Sequence, residues 1–264
     1  MRLHYKYPFL FSLAMVLGMI IGYKINLTQK VSTIPSDMFD TIEKHYDGGV
    51  NASTLELKSV EQVLSQLDTL SKIRKAVEES VSEPIVTCYK TDKNAFYIKL
   101  SSISSGAYRM FAKSLDSITP FGVSKITLDL RGVNGDAFDD AIQIADEFLS
   151  EDKFITSTKG AHESRKEYRA KRFGLFEQGE LHVLIDSLTR GPGEVLCAAI
   201  KHWKRGKLIG TRTCGSAVRL SKFSIGNDYE LVLPTLRYYF PNGQSITKLN
   251  TIDTTYGVLA DSAL

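Results

Sequence analysis

The run Lys125-Ile126-Thr127-Leu128-Asp129-Leu130, closed by Arg131-Gly132 and followed by a helical pattern over 136–149, decides how the rest of the chain is read. A short apolar run ended by a turn, then apolar residues at helical spacing, is the repeating unit of an α/β protein. Working outward, the same grammar recurs. Strand-like runs occupy 85–89, 97–100, 154–156, 181–185, 208–210 and 231–233, and helical patterns lie at 105–118 and 193–203. The alternation predicts an α/β domain over 84–264 with a largely covered sheet.

Upstream the grammar is different. Phe39, Ile42 and Tyr46 recur at helical spacing and stop at Gly48-Gly49, and Ser53 with Glu56 forms a capping-box pair ahead of Leu57, Val60, Val63, Leu64 and Leu67. Residues 24–83 therefore read as a helical arm and linker. Before them, a short N-terminus (1–6) carries Arg2, His4 and Lys6, and an uncharged apolar run fills 7–23 with tyrosines at both ends. As a helix this run would be roughly 25 Å long at ~1.5 Å per residue, just enough for a hydrocarbon core of about 30 Å. Tyrosines suit the two interfaces, and no small-x-small site follows the run. The expectation is an uncleaved signal anchor, a single transmembrane helix with 24–264 on the exported side, periplasmic or extracellular. Secretion after signal cleavage is the alternative.

Composition removes other classes. With 264 residues, 43% of them hydrophobic, the chain can bury a core of normal size, so wholesale disorder is excluded. Lys and Arg number 33 against 30 Asp and Glu, for a net charge of +3, too weak a basic field for a nucleic-acid binder. Cys88, Cys197 and Cys214 form no C-x-x-C pair and offer neither a disulfide framework nor a metal site, and no cofactor is implied. The charged stretch from His162 to Arg172 reads as a solvated hairpin or helix face, with a site for an acidic partner as the alternative.

Several segments are more specific. Leu128-Asp129-Leu130-Arg131-Gly132, the helix carrying Asp140-Ala141 and Ile144-Ala145-Asp146, Arg165-Lys166-Glu167-Tyr168-Arg169-Ala170, and Val183-Leu184-Ile185-Asp186 leading to Glu194 follow one another in order. Arg205-Gly206, Ile209-Gly210, Arg237-Tyr238-Tyr239, Pro241, Gly243 and Ser245-Ile246 continue the series. Together they resemble the core of the C-terminal processing (tail-specific) serine peptidases over roughly 95–261. The resemblance implies a crotonase-like (ClpP/crotonase) α/β fold, a serine nucleophile at the start of a helix, a lysine general base, and an assisting glutamine four residues beyond it.

At those positions this chain departs from the family. The nucleophile pattern D-x-x-[ST]-x-S-A-x-E reads Asp186-Ser187-Leu188-Thr189-Arg190-Gly191-Pro192-Gly193-Glu194, which puts Gly191 at the nucleophile. The lysine position holds Ser216, at the family's spacing from Gly191, and the glutamine position holds Leu220. Glycine has no side chain with which to attack a carbonyl, and a serine hydroxyl cannot act as the base near neutral pH. The oxyanion region is altered too: the family's N-P-G-G reads Val133-Asn134-Gly135-Asp136, and Pro192 has no N–H. Ser187, Thr189, Cys197, Cys214, Ser216, His182 and His202 are the groups that could rebuild a site nearby. Family members usually carry a PDZ domain between arm and core, and 72–83 is too short to hold one, since a folded domain needs about 50 residues.

The expectation is thus a membrane-anchored pseudo-peptidase of the cell envelope, a binding or scaffolding module with a peptide or protein ligand in a vestigial cleft. The alternatives are a hydrolase with a relocated nucleophile and a carrier of a small hydrophobic ligand on the same fold.

Overall fold

A computed structural model describes residues 15–17, 34–45, 51–68, 70–76, 86–226, 228–248 and 256–263. The chain divides into two compact units, Met1–Val63 and Leu64–Leu264. The expected anchor at 7–23 lies outside the described residues except for 15–17, which are helical. Among the described residues no helix is long and apolar enough to cross a membrane.

The arm consists of α1 (Ile34–His45) and α2 (Ala52–Ser65). Phe39 is buried, and Glu43 Oε2 accepts the Ala52 N–H at 3.0 Å. The cap of α2 is not the expected Ser53–Glu56 pair. Asn51 Oδ1 accepts the Thr54 N–H at 3.2 Å, because an amide one turn earlier reaches the free donors of the first turn.

The larger unit runs β1 (Lys72–Lys75), β2 (Val86–Asp92), β3 (Ala95–Leu100), β4 (Ser102–Ile103), α3 (Ala107–Ile118), β5 (Lys125–Asp129), β6 (Asn134–Gly135) and α4 (Phe138–Asp146). It continues with β7 (Phe154–Gly160), β8 (Lys166–Arg169), β9 (Glu180–Ile185), α5 (Pro192–His202), β10 (Lys207–Gly210), β11 (Val218–Ile225) and β12 (Tyr229–Tyr239). The central sheet has the order β10-β9-β5-β3-β2, parallel except for β2. Along β3, β5, β9 and β10 buried residues alternate with half-buried or exposed ones, so one face of this sheet is fully covered and the other only in part. A second, antiparallel sheet has the order β1-β12-β7-β8, with β11 also on β12. The β4–β6 pair closes the site side of the domain.

Helix α5 is buried from Pro192 to Ile200, which its nearly all-apolar sequence requires of a core helix. The second sheet contains two strands that the sequence reading did not separate. Lys72–Lys75, placed above in the arm and linker, pair with β12, and the charged stretch at 162–172 holds β8 as the partner of β7.

Candidate functional site

Strand β5 ends at Asp129, which is fully buried and receives Arg131 from two sides: Nε on Oδ1 at 2.9 Å and Nη2 on Oδ2 at 2.7 Å. The Tyr97 hydroxyl donates to Oδ2 as well. Burial pushes the Asp129 carboxyl up, and these donors outweigh it, so the group sits below the usual carboxylate range. Burial and the Asp129 charge in turn push Tyr97 to about 12.

The turn after β9 is organised by a second carboxylate. Asp186 Oδ1 accepts the N–H groups of Gly132 (3.0 Å), Leu188 (3.0 Å) and Thr189 (2.8 Å), which ties the β5 and β9 turns together. Burial opposes ionisation here also, and the donors hold the group below its ordinary value. The Thr189 hydroxyl is buried between the Leu130 carbonyl oxygen at 2.8 Å and Asp186 Oδ1 at 3.0 Å, and it accepts the Asp186 N–H at 3.1 Å. It is fully engaged in the turn.

Gly191 precedes α5 with φ 58 and ψ −119, a conformation costly for other residues, and it is buried. Its N–H donates to Glu194 Oε2 at 3.1 Å. The same carboxylate accepts the Ser216 N–H on Oε2 at 2.7 Å, and the Thr213 hydroxyl (2.6 Å) and Gly215 N–H (2.5 Å) on Oε1. One buried side chain thus holds the segment at Gly191 against the segment at Ser216. Burial pushes the Glu194 carboxyl above its ordinary range, against the pull of these donors.

Two neighbours border the space above Gly191 at ordinary contact distance. A Cβ there would lie 3.4 Å from the Gly135 carbonyl oxygen and 3.9 Å from the Phe138 ring, and Phe138 stacks on Tyr238 with centroids 4.0 Å apart at 7°. Both rings are buried. The nearest polar atom is therefore an acceptor, where an oxyanion would need donors. Gly135 cannot be otherwise: at φ 136 its Cβ would fall 2.1 Å from the Ile103 carbonyl oxygen. Asp136 is exposed, and Pro192 forms the first residue of α5. None of the main cavities among the described residues is lined by Gly191, Ser216 or Leu220.

The structure thus joins Gly191 to Ser216 through Glu194, sets the Gly135 carbonyl oxygen beside Gly191, and leaves Leu220 exposed on β11 opposite Pro234. Of the groups that could rebuild a site, the Thr189 hydroxyl is engaged in its turn, while Cys214 lies against that turn with its N–H donating to the Thr189 carbonyl oxygen at 3.0 Å. His182 Nε2 lies 2.9 Å from Glu180, and His202 packs edge-on against Trp203. Cys197 is buried and its thiol is pushed up by burial, Cys214 is half-buried, and Ser187 is exposed. Among the described residues no group of His, Cys, Asp and Glu is arranged to hold a metal ion. Sequence reasoning missed Phe138 and Tyr238 as the lid of the site. Tyr238 lies in the Arg237-Tyr238-Tyr239 motif, whereas nothing in the sequence marks Phe138.

A buried helix entered through a residue at positive φ, beside a glycine turn at the ends of parallel strands, is a frame on which α/β hydrolases place a nucleophile. Residues 94–258 match the sequence model of peptidase family S41, and the chain belongs to that family. It is 28% identical over 163 residues to the carboxy-terminal-processing protease of Bartonella bacilliformis, covering 60% of this chain and 37% of that one. The chain thus spans well under half the length of the curated relatives it matches. Among solved structures, the photosystem II D1 C-terminal processing protease superposes with a TM-score of 0.58 at 21% identity, over 71% of this chain and 49% of that one. A lipoprotein from Streptococcus agalactiae gives 0.58 at 14% identity, over 86% and 83%. At these identities the two structures establish the mixed α/β fold.

Proposed function

We propose that this chain is a non-catalytic member of the family, a membrane-anchored pseudo-peptidase that serves as a binding or scaffolding module of the cell envelope. The observation that supports this reading is Gly191. At the position that the resemblance gives to the nucleophile there is no side chain, the residue is buried, and the Phe138 ring borders it. Ser216 at the base position contributes its backbone N–H to Glu194 and has no amine to offer. The hydroxyl of Thr189, nearest in sequence, is held in the turn. In this reading residues 7–23 anchor the chain and 24–264 is exported.

The test is reaction of the exported segment with a fluorophosphonate probe, together with incubation with casein. No labelling and no cleavage are expected. Labelling that disappears in Ser187→Ala or Thr189→Ala would replace this reading with a hydrolase using a relocated nucleophile. A reporter fused after Leu264 that functions only outside the cytoplasm should be active, and its silence would overturn the export.

A further inference from the structure

A groove of about 710 Å³ lies between helix α4 and strand β8. Its apolar surface comes from Tyr108, Ile142 and Tyr168, and α4 adds Asp139, Gln143 and Asp146, which share one helix face with Ile142 at successive turns. One end is closed, since the Lys171 N–H donates to Asp146 Oδ1 at 2.8 Å and Arg172 is bound to Glu147. The other end, at Asp139, is open to solvent and adjoins Phe138.

The strand along this groove is an edge. Among the described residues β8 pairs with β7 alone. Ala170 exchanges both backbone bonds with the β7 side, donating to Lys153 O at 2.8 Å and accepting from Asp152 N–H at 3.0 Å. Backbone groups alternate in an antiparallel strand, so Arg169 and Glu167 turn N–H and C=O away from β7. The side chains sort by face as well. The Lys166 ammonium lies 5.0 Å from the Tyr168 ring centroid, while Arg169 Nη2 is 3.4 Å from Glu167 Oε2 on the other face. A free edge with outward donors and acceptors two residues apart, above an apolar floor, is matched by another extended backbone.

We propose that this groove binds an extended peptide, which adds to β8 as a further strand and lays alternate apolar side chains over Ile142 and Tyr168. Charge sets the ends of that peptide. Asp139 is exposed at the open end and Lys171 at the closed end, so the ligand carries a cationic residue at one end and an anionic one at the other. The proposal deepens the non-catalytic binding role and rests on it, but it moves the ligand away from Gly191, which lines none of the main cavities among the described residues.

The test uses the full chain and a fluorescein-labelled peptide, Lys-Val-Thr-Val-Thr-Val-Glu, read by fluorescence anisotropy. Saturable binding is expected. N-methylation of alternate amides along one peptide edge should weaken it at least tenfold, while methylation along the other edge changes it less than twofold. Ile142→Glu should weaken it at least tenfold; should that variant not fold, Gln143→Trp fills the groove from an exposed position with the same expected loss. Absence of saturable binding, equal loss from both methylated edges, or binding indifferent to Gln143→Trp would overturn the proposal. So would a concentration-dependent dimer abolished by Gln143→Trp, which would give the edge to a second copy of the chain. Fluorophosphonate labelling of the same sample would sink the non-catalytic reading while leaving the groove measurements to stand or fall by themselves.

Discussion

Gly135 and Gly191 both sit at positive φ beside each other, yet a side chain would meet different surroundings at each. At Gly191 a Cβ finds ordinary contact distances, so Gly191→Ala carries only the conformational cost, about 1–3 kcal/mol. At Gly135 the Ile103 carbonyl oxygen occupies the place of the Cβ, and Gly135→Ala must part the β4–β6 pair. Urea unfolding should show Gly135→Ala to be the more damaging of the two by at least about 2 kcal/mol, on the scale of a strained backbone and lost pairing. Equal midpoints would mean that the close approach at Gly135 is not a constraint on the turn. Glu194 ties Gly191 to the 213–216 segment, because its carboxylate reaches Gly191, Thr213, Gly215 and Ser216.

The stack of Phe138 from α4 on Tyr238 from β12 joins a helix to the second sheet. Phe138→Ala should cost about 3–5 kcal/mol in urea unfolding, the range for removing a buried aromatic side chain. A loss under about 1 kcal/mol would show that the ring is not packed as described. The elements themselves were legible to different degrees. Strands β3, β5 and β9 and helices α3, α4 and α5 stand out in the sequence because burial of alternate strand positions, or of one helix stripe, leaves a periodic apolar signal. Strand β1 reads Lys-Ile-Arg-Lys and β8 reads Lys-Glu-Tyr-Arg, so their pairing carries no such signal. On β11, Leu220, Phe223 and Ile225 are exposed and the register shifts at Arg219/Leu220, which breaks the alternation that would mark a strand. The site was legible as an ordered set of motif positions. Its surroundings were not, since Gly135 and Phe138 border Gly191, and Phe138 stacks on Tyr238, only in the folded chain.

For the whole molecule, the buried and half-buried carboxylates set the response to acid. Asp129, Asp186 and Asp261 titrate below the ordinary 3.8 in the folded chain, so their stabilisation is complete above that value and is lost as the pH falls through their folded values. Glu194 has the opposite sign. Its folded value lies above 4.5, so its contribution is complete below 4.5 and is lost as the pH rises through the folded value. Urea midpoints measured from about pH 3 to about pH 7 should fall on the acid side. Asp129→Asn should reduce that acid-side slope, and an unchanged slope would remove Asp129 from the account. On the non-catalytic reading proposed above, the same interlocking predicts that peptidase activity is hard to install at Gly191. Gly191→Ser returns a hydroxyl at the head of α5, but Pro192 gives no N–H and the Gly135 carbonyl oxygen faces the new side chain. One missing oxyanion donor costs on the order of 3 kcal/mol of transition-state stabilisation, roughly a hundredfold or more in rate. Ser216→Lys places an ammonium beside Glu194, whose Oε2 already lies 3.5 Å from the Ser216 hydroxyl, and a paired lysine stays charged and cannot accept a proton. Leu220, on exposed β11, cannot assist it. The double variant Gly191→Ser plus Ser216→Lys is therefore expected to cleave no unfolded-tail peptide and to resist the fluorophosphonate probe. Detectable activity should require at least Pro192→Ala, to return the missing N–H. Robust cleavage by the double variant alone would show that the Gly135 carbonyl, Pro192 and the Phe138–Tyr238 stack do not obstruct the site, and that two side chains account for all that separates this chain from a working peptidase.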